Sequence, residues 1–121
     1  MEIEVLLQYL LPKEVFEYFD FKEIIEKEDK LHLYLDEKPL KPPEHHDKDL
    51  IANGFDEPVS IQDFPIRNKS AYFIVRRRKW KDKQTGKIYS KQWDLTAKGS
   101  SYSKDFAAFL KELFGQLPNQ Q

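Results

Sequence analysis

An α+β fold follows from three patterns met in order along the chain. Apolar residues recur at helical spacing near the N-terminus, apolar and polar residues alternate through the middle, and a second helical stripe lies near the end. At 121 residues the chain is long enough for one domain with a modest core and a small appended segment. Charged residues make up 34% of it, which implies a heavily solvated surface, while nine Phe, six Tyr and two Trp supply the bulk of a core. No cysteine is present, which removes disulfides, thiolate metal sites and cysteine nucleophiles and fits a reducing compartment; a cytoplasmic location is expected. The opening run, residues 1–19, is acidic and its apolar stretch is broken by Glu, Gln and Pro, so neither a secretory signal nor a membrane span is expected.

Element by element, Leu6, Leu7, Leu10 and Leu11 form one helical stripe, and Pro12 can open a second short helix carrying Val15, Phe16 and Phe19. Two strands follow over 21–28 and 31–36, with Leu31, Leu33 and Leu35 alternating against His32 and Tyr34 and a turn at Asp29 and Lys30. Residues 37–54, with Pro39, Pro42, Pro43 and the adjacent His45 and His46, have no period and read as a loop. Val59, Ile61 and Phe64 resume an alternation that Pro65 ends; 71–80 and 87–95 are two further strands joined by a Gly-containing turn at 82–86. The middle of the chain is thus expected to be an antiparallel sheet. After a turn-like stretch at 96–103, Ser103 can cap a helix whose Phe106, Phe109, Leu110, Leu113 and Phe114 recur at i, i+3, i+4, i+7 and i+8 until Gly115. Five large apolar side chains on one face require a partner, either this chain's sheet or helices beyond it. The division expected is 1–99 for the helix-plus-sheet domain and 100–121 for the C-terminal helix, with a frayed tail at 117–121.

The net charge of −1 conceals a segregation: residues 1–57 carry sixteen acidic and seven basic side chains, residues 67–91 ten basic and one acidic. Such a chain either binds a polyanion through its basic segment or pairs that segment with its own acidic half. The densest run is Arg76-Arg77-Arg78-Lys79-Trp80-Lys81, where strand alternation sends Arg76, Arg78 and Trp80 to one face and Arg77 and Lys79 to the other. Guanidinium forks onto phosphate, lysine adds point charge, and an aromatic beside them can stack on a base. With Lys83, Lys87 and Lys91 on the turn and return strand and Arg67 and Lys69 before it, a cationic two-stranded ribbon for nucleic acid is expected; the competing reading is a solvated edge hairpin. Trp80 and Trp93 read as cross-strand packing partners more than as stacking platforms, and Tyr89 shares that reading. His45 and His46 have no third ligand at a metal spacing, so no metal or other cofactor is expected. No carboxylate pair, Ser–His or Cys–His arrangement or Gly-rich phosphate loop stands out, and the chain reads as non-catalytic.

Asp63-Phe64-Pro65, followed by a strand ending in Arg76-Arg77-Arg78-Lys79-Trp80, resembles the N-terminal region of insertion-sequence transposases of the ISAon type, related to the larger ISL group. In that wider group the Arg-rich strand leads into a Cys-x-x-Cys-Gly zinc knuckle followed by an aromatic; here Asp82 and Thr85 stand at the cysteine positions, with Gly86 and Tyr89 retained. An Asp and a Thr cannot replace two thiolates. The resemblance, which spans residues 6–116, therefore implies a metal-free zinc-ribbon-like hairpin, with the C-terminal helix opening a helix-turn-helix. It also implies a non-catalytic region that binds double-stranded DNA at the element's terminal repeats, its nuclease domain lying outside this chain. The alternative is a protein-interaction module that docks, through its acidic half and final helix, to the catalytic transposase polypeptide or to a second copy.

Overall fold

A computed structural model describes residues 3–9, 11–93 and 102–115. Its elements run α1 (Ile3–Leu7), α2 (Val15–Tyr18), β1 (Phe19–Lys27), β2 (Lys30–Glu37), a 3-10 turn (Pro43–His45), β3 (Leu50–Phe55), β4 (Val59–Ile66), β5 (Lys69–Arg76), β6 (Arg78–Asp82), β7 (Ile88–Tyr89) and α3 (Lys104–Gly115). The fold is α+β, with helices at both ends of the chain. Among the described residues no helix is long and apolar enough to cross a membrane. Residues 96–101 of the turn expected at 96–103, residues 94 and 95 of the expected return strand, the tail and Leu10 lie outside the described residues, as does the side chain of Phe64.

Two sheets form. The first has four strands in the order β1-β2-β5-β4, the second three in the order β3-β6-β7. The expectation of a wholly antiparallel middle is corrected: β2 and β5 at the centre of the first sheet run parallel, Leu33 opposite Phe73 and Leu35 opposite Val75. The pairing satisfies the hydrophobic pattern, because it lines up the inward residues of both strands with Val59 and Ile61 of β4. Two hairpins flank this pair, each closed by two residues of positive φ: Glu28 and Asp29 (52° and 61°), then Arg67 and Asn68 (53° and 70°). Both have the geometry of a type I′ turn, whose twist matches that of its strands. Hence the first turn falls one residue earlier than the sequence suggested. Pro65 does not end β4; it sits where the register shifts between Asp63 and Ile66 on an edge strand, where its missing N–H breaks no central ladder.

Three further expectations change. Phe19 opens β1 and not a helix, its ring buried in the core. The segment read as loop contains β3, whose ladder to β6 is interrupted between Ala52 and Phe55, at Gly54 with φ of 78°. Of the return strand expected over 87–95, only Ile88 and Tyr89 are in a strand among the described residues.

The C-terminal helix is as expected in position, face and cap. Phe106, Phe109, Leu110, Leu113 and Phe114 are all buried, in one core with Leu7, Val15, Leu33, Leu35, Phe73 and Val75. Its partner is this chain's own first sheet and N-terminal segment. Ser103 accepts the Phe106 N–H on its Oγ at 3.2 Å and donates that hydroxyl to Glu14 Oε1 at 2.9 Å, while its N–H reaches Glu14 Oε2 at 2.7 Å. Burial opposes ionisation of Glu14, but the two bonds from Ser103 outweigh it and hold the carboxyl below its ordinary value of 4.5. A depressed carboxylate contributes stability above its unfolded pKa and loses it as pH falls through the folded one. Ser103→Ala should thus cost about 1–2 kcal/mol at neutral pH, and the difference from wild type should shrink as Glu14 protonates. Urea unfolding of both proteins at pH 7 and pH 3 measures it; an equal deficit at the two pH values would dissociate Ser103 from Glu14.

Candidate nucleic-acid interface

The cationic run was expected to form a single strand over 71–80 with faces set by simple alternation. The structure divides that strand. In β5 the buried positions are Ala71, Phe73 and Val75, and the phase continues to Arg77; in β6 they are Trp80 and Asp82. Odd positions face inward before Arg77 and even positions after it, because the chain leaves the first sheet and enters the second at that residue. Arg76, Arg78 and Trp80 are therefore not a common exposed face.

Each arginine of the triplet is committed within the chain. Arg76 makes a bidentate contact with Asp36, Nε to Oδ1 and Nη2 to Oδ2, both at 2.7 Å, and that pairing raises the Arg76 pKa. Arg78 donates twice to Glu37, its backbone N–H to Oε1 at 2.8 Å and its Nε–H to the Glu37 carbonyl at 3.1 Å. The guanidinium carbons of Arg76 and Arg78 lie 4.0 Å and 4.5 Å from the ring centre of Phe55. Arg77 is 6% exposed. Its Nη2 donates to the Lys91 carbonyl at 2.6 Å, its carbonyl accepts the Asp56 N–H at 2.8 Å, and its guanidinium lies 5.1 Å from the Phe114 ring centre. Desolvation lowers the Arg77 pKa, against the charges of Glu37 and Asp56. The triplet thus fastens the end of the first sheet to the second sheet and to α3.

What remains cationic and open is the β6–β7 hairpin. Lys81, Lys83 and Lys87 are exposed and Lys79 is half-buried, and none of the four has an ion-pair partner among the described residues. Lys81 stands between Ile51 and Ile88, its cross-strand neighbours, which are 44% and 49% exposed. Lys91 folds back over the rings of Trp93 and Tyr18, at 4.7 Å and 5.7 Å. Arg67 and Lys69 are removed from the hairpin by the whole of β5, roughly 25 Å of extended chain; Lys69 there pairs with Glu26 at 2.6 Å and Asp29 at 3.3 Å. The single ribbon expected to gather all ten cations therefore divides into a clasp, a hairpin and a distant turn.

The hairpin's turn is held by its own polar groups. Asp82 accepts the Gln84 N–H on Oδ1 at 2.9 Å, the Gly86 N–H reaches the Asp82 carbonyl at 2.8 Å, and Thr85 Oγ1 accepts the Lys87 N–H at 3.2 Å. Gly86 supplies the positive φ of 76°. Asp47, Lys48, Asp49, Asp82 and Gln84 line an open depression beside this turn, so three acids and one lysine border one side of it. Trp80 and Trp93 are not cross-strand partners: Trp80 faces Tyr89 across the ladder, whereas Trp93 joins the main core, stacked on Phe19 at 6.1 Å and edge-on to Tyr18 at 4.8 Å. His45 leans on the Tyr89 ring at 4.5 Å, and His46 Nδ1 lies 3.2 Å from the Pro43 carbonyl. Among the described residues no three His, Cys, Asp or Glu side chains converge on a metal-sized site.

Sequence reasoning missed the partners that absorb the arginines: Asp36, Glu37 and Phe55. The adjacent acids at the end of β2 were a signal, but only the parallel β2–β5 register brings Asp36 opposite Arg76. Compared with protein-family models, with characterised proteins and with solved structures, the chain matches none.

Proposed function

We propose that this chain is a non-catalytic DNA-binding module of the kind found at the start of insertion-sequence transposases, and that it grips the phosphate backbone of duplex DNA through the β6–β7 hairpin. The observation that carries the reading is the exposed trio Lys81, Lys83 and Lys87 on one short hairpin, without ion-pair partners among the described residues. The neighbouring arginines set its position on the body of the protein instead of meeting the ligand. The resemblance of Asp63-Phe64-Pro65 and of the Arg-rich strand to those transposases points the same way. In this reading the hairpin is the zinc-ribbon-like unit without its metal, and the hydrogen bonds of Asp82 and Thr85 replace what two thiolates would supply. The partner is double-stranded DNA, with lysine contacts that position the chain more than they select sequence.

Phosphate contacts release counterions, so affinity should fall steeply with salt. Titration of a labelled duplex at several salt concentrations should give a linear log–log plot. Replacing Lys81, Lys83 and Lys87 together by Ala should flatten its slope by about three units without changing the thermal melt. A slope unchanged in that variant, or no binding by the wild type at low salt, would refute the hairpin as the contact. The rival docking reading loses its main support, since the α3 stripe that suggested it is buried against this chain's own sheet.

A further inference from the structure

The two faces of the four-stranded sheet differ. Inward residues of β2, β4 and β5 share the core with side chains of all three helices, whereas the central outward residues of β2 and β5, His32, Tyr34, Tyr72 and Ile74, are half-buried and rich in rings. His32 and Tyr72 sit opposite each other on the two central strands, their planes 19° apart with centres at 5.7 Å. The next outward pair is Tyr34 and Ile74. A solvated sheet face ordinarily carries polar side chains. Here four adjacent central positions present flat or apolar groups.

The end of this face carries two lysines, beside the exposed turn acids Glu28 and Asp29, of which Asp29 is paired with Lys69. Lys27 and Lys30 stand directly opposite one another beside the β1–β2 turn, both exposed, and Lys30 Nζ lies 5.9 Å from the Tyr72 ring centre. Like charges directly opposed across strands repel, and a bound polyanion relieves that repulsion. Glu23 lies opposite Tyr34 at the β1 edge, and Arg76 on the same face is closed by Asp36, so among the described residues Lys27 and Lys30, next to Tyr72, are the cations of this face without an ion pair.

The geometry points to a second nucleic-acid surface on this chain: the open sheet face binds single-stranded DNA, with bases stacking on Tyr72, His32 and Tyr34 and the phosphates beside them held by Lys27 and Lys30. Unpaired bases stack on aromatic side chains with little regard to sequence. Ile74, beside Tyr34, offers an apolar contact to the thymine methyl group that uracil lacks. The surface is separate from the β6–β7 hairpin and does not depend on what that hairpin binds.

The test uses the full chain and two labelled probes, a thymidine oligomer and a duplex. Tyr72→Ala combined with Tyr34→Ala should weaken oligomer binding about tenfold or more and leave duplex binding unchanged, whereas the triple lysine variant of the hairpin should do the reverse. Tyr72→Phe keeps the stacking ring and should bind as wild type, which separates loss of stacking from loss of fold; thermal melts of every variant check the latter. Lys27→Ala with Lys30→Ala should flatten the oligomer's salt slope by about one to two units. Equal affinity of wild type and the double tyrosine variant for the oligomer overturns the proposal. So does tighter binding of a uridine oligomer, or a concentration-dependent mass in light scattering that the tyrosine changes abolish, which would make this face a contact between copies of the chain.

Discussion

Phe106→Ala should lower the unfolding free energy by about 3–5 kcal/mol, enough to unfold a marginally stable domain of this size at moderate temperature. The side chain is fully buried, and four rings lie within 6 Å of its centre: Tyr102 at 5.4 Å, Tyr18 at 5.7 Å, Trp93 at 5.9 Å and Phe109 at 5.9 Å. These come from α2, the segment after β7 and α3 itself, so one ring ties the C-terminal helix to both the N-terminal segment and the end of the sheet region. Such a site collapses poorly when emptied, because each neighbour is rigid and fixed by another element; the cost should lie in the upper part of the range for large-to-small changes. Phe106→Leu, which keeps most of the volume but loses the edge-to-face and stacked geometry, should cost about 1–2 kcal/mol. Chemical denaturation with fluorescence of Trp93 and Trp80 reads both. A loss below 1 kcal/mol for the alanine variant would mean that α3 contributes little to the core.

The same helix shows what local pattern can reveal. Its stripe and Ser103 cap were readable because both depend on residues within fifteen positions of each other. The hairpins were readable as strands, the first turn only to within one residue: neither Glu28-Asp29 nor Arg67-Asn68 contains the glycine that usually marks a two-residue turn, and Pro65 suggested an end where the edge strand merely bulges. Less legible still was the pairing of β2 with β5, which joins residues forty positions apart. That pairing decides the candidate site. From composition, Arg76, Arg77 and Arg78 look like the most promising phosphate ligands; beside Asp36, Glu37 and Phe55 they become a fastening, and the plainer lysines of the hairpin become the open cations. The aromatic face was invisible for a similar reason, since Tyr72 and His32 meet only in the parallel register.

Arg77→Met should destabilise the protein by about 3 kcal/mol at neutral pH, through a loss that grows as pH rises. Methionine fills much of the volume against Phe114 but cannot donate to the Lys91 carbonyl, and it removes a positive charge that acts on buried Glu37. Burial already pushes the Glu37 carboxyl above its ordinary value of 4.5, opposed by the Arg78 N–H and by the charges of Arg77, Lys91 and Arg78. Without Arg77 the upward shift should increase. A carboxyl whose folded pKa lies above its unfolded value contributes stability that is fully present below the unfolded pKa and lost as pH rises through the folded one. The deficit of Arg77→Met should therefore be smallest near pH 4 and largest at pH 7. Adding Glu37→Gln removes the titrating group, while the amide oxygen can still accept the Arg78 N–H. The double variant should recover part of the neutral-pH loss and show a flatter pH dependence than Arg77→Met alone. Urea unfolding of the four proteins of this cycle from pH 4 to pH 7.5 decides it: a deficit independent of pH, undiminished by Glu37→Gln, would mean that Arg77 acts through packing and its bond to the Lys91 carbonyl, and that its charge does not support Glu37 at the junction of the two sheets.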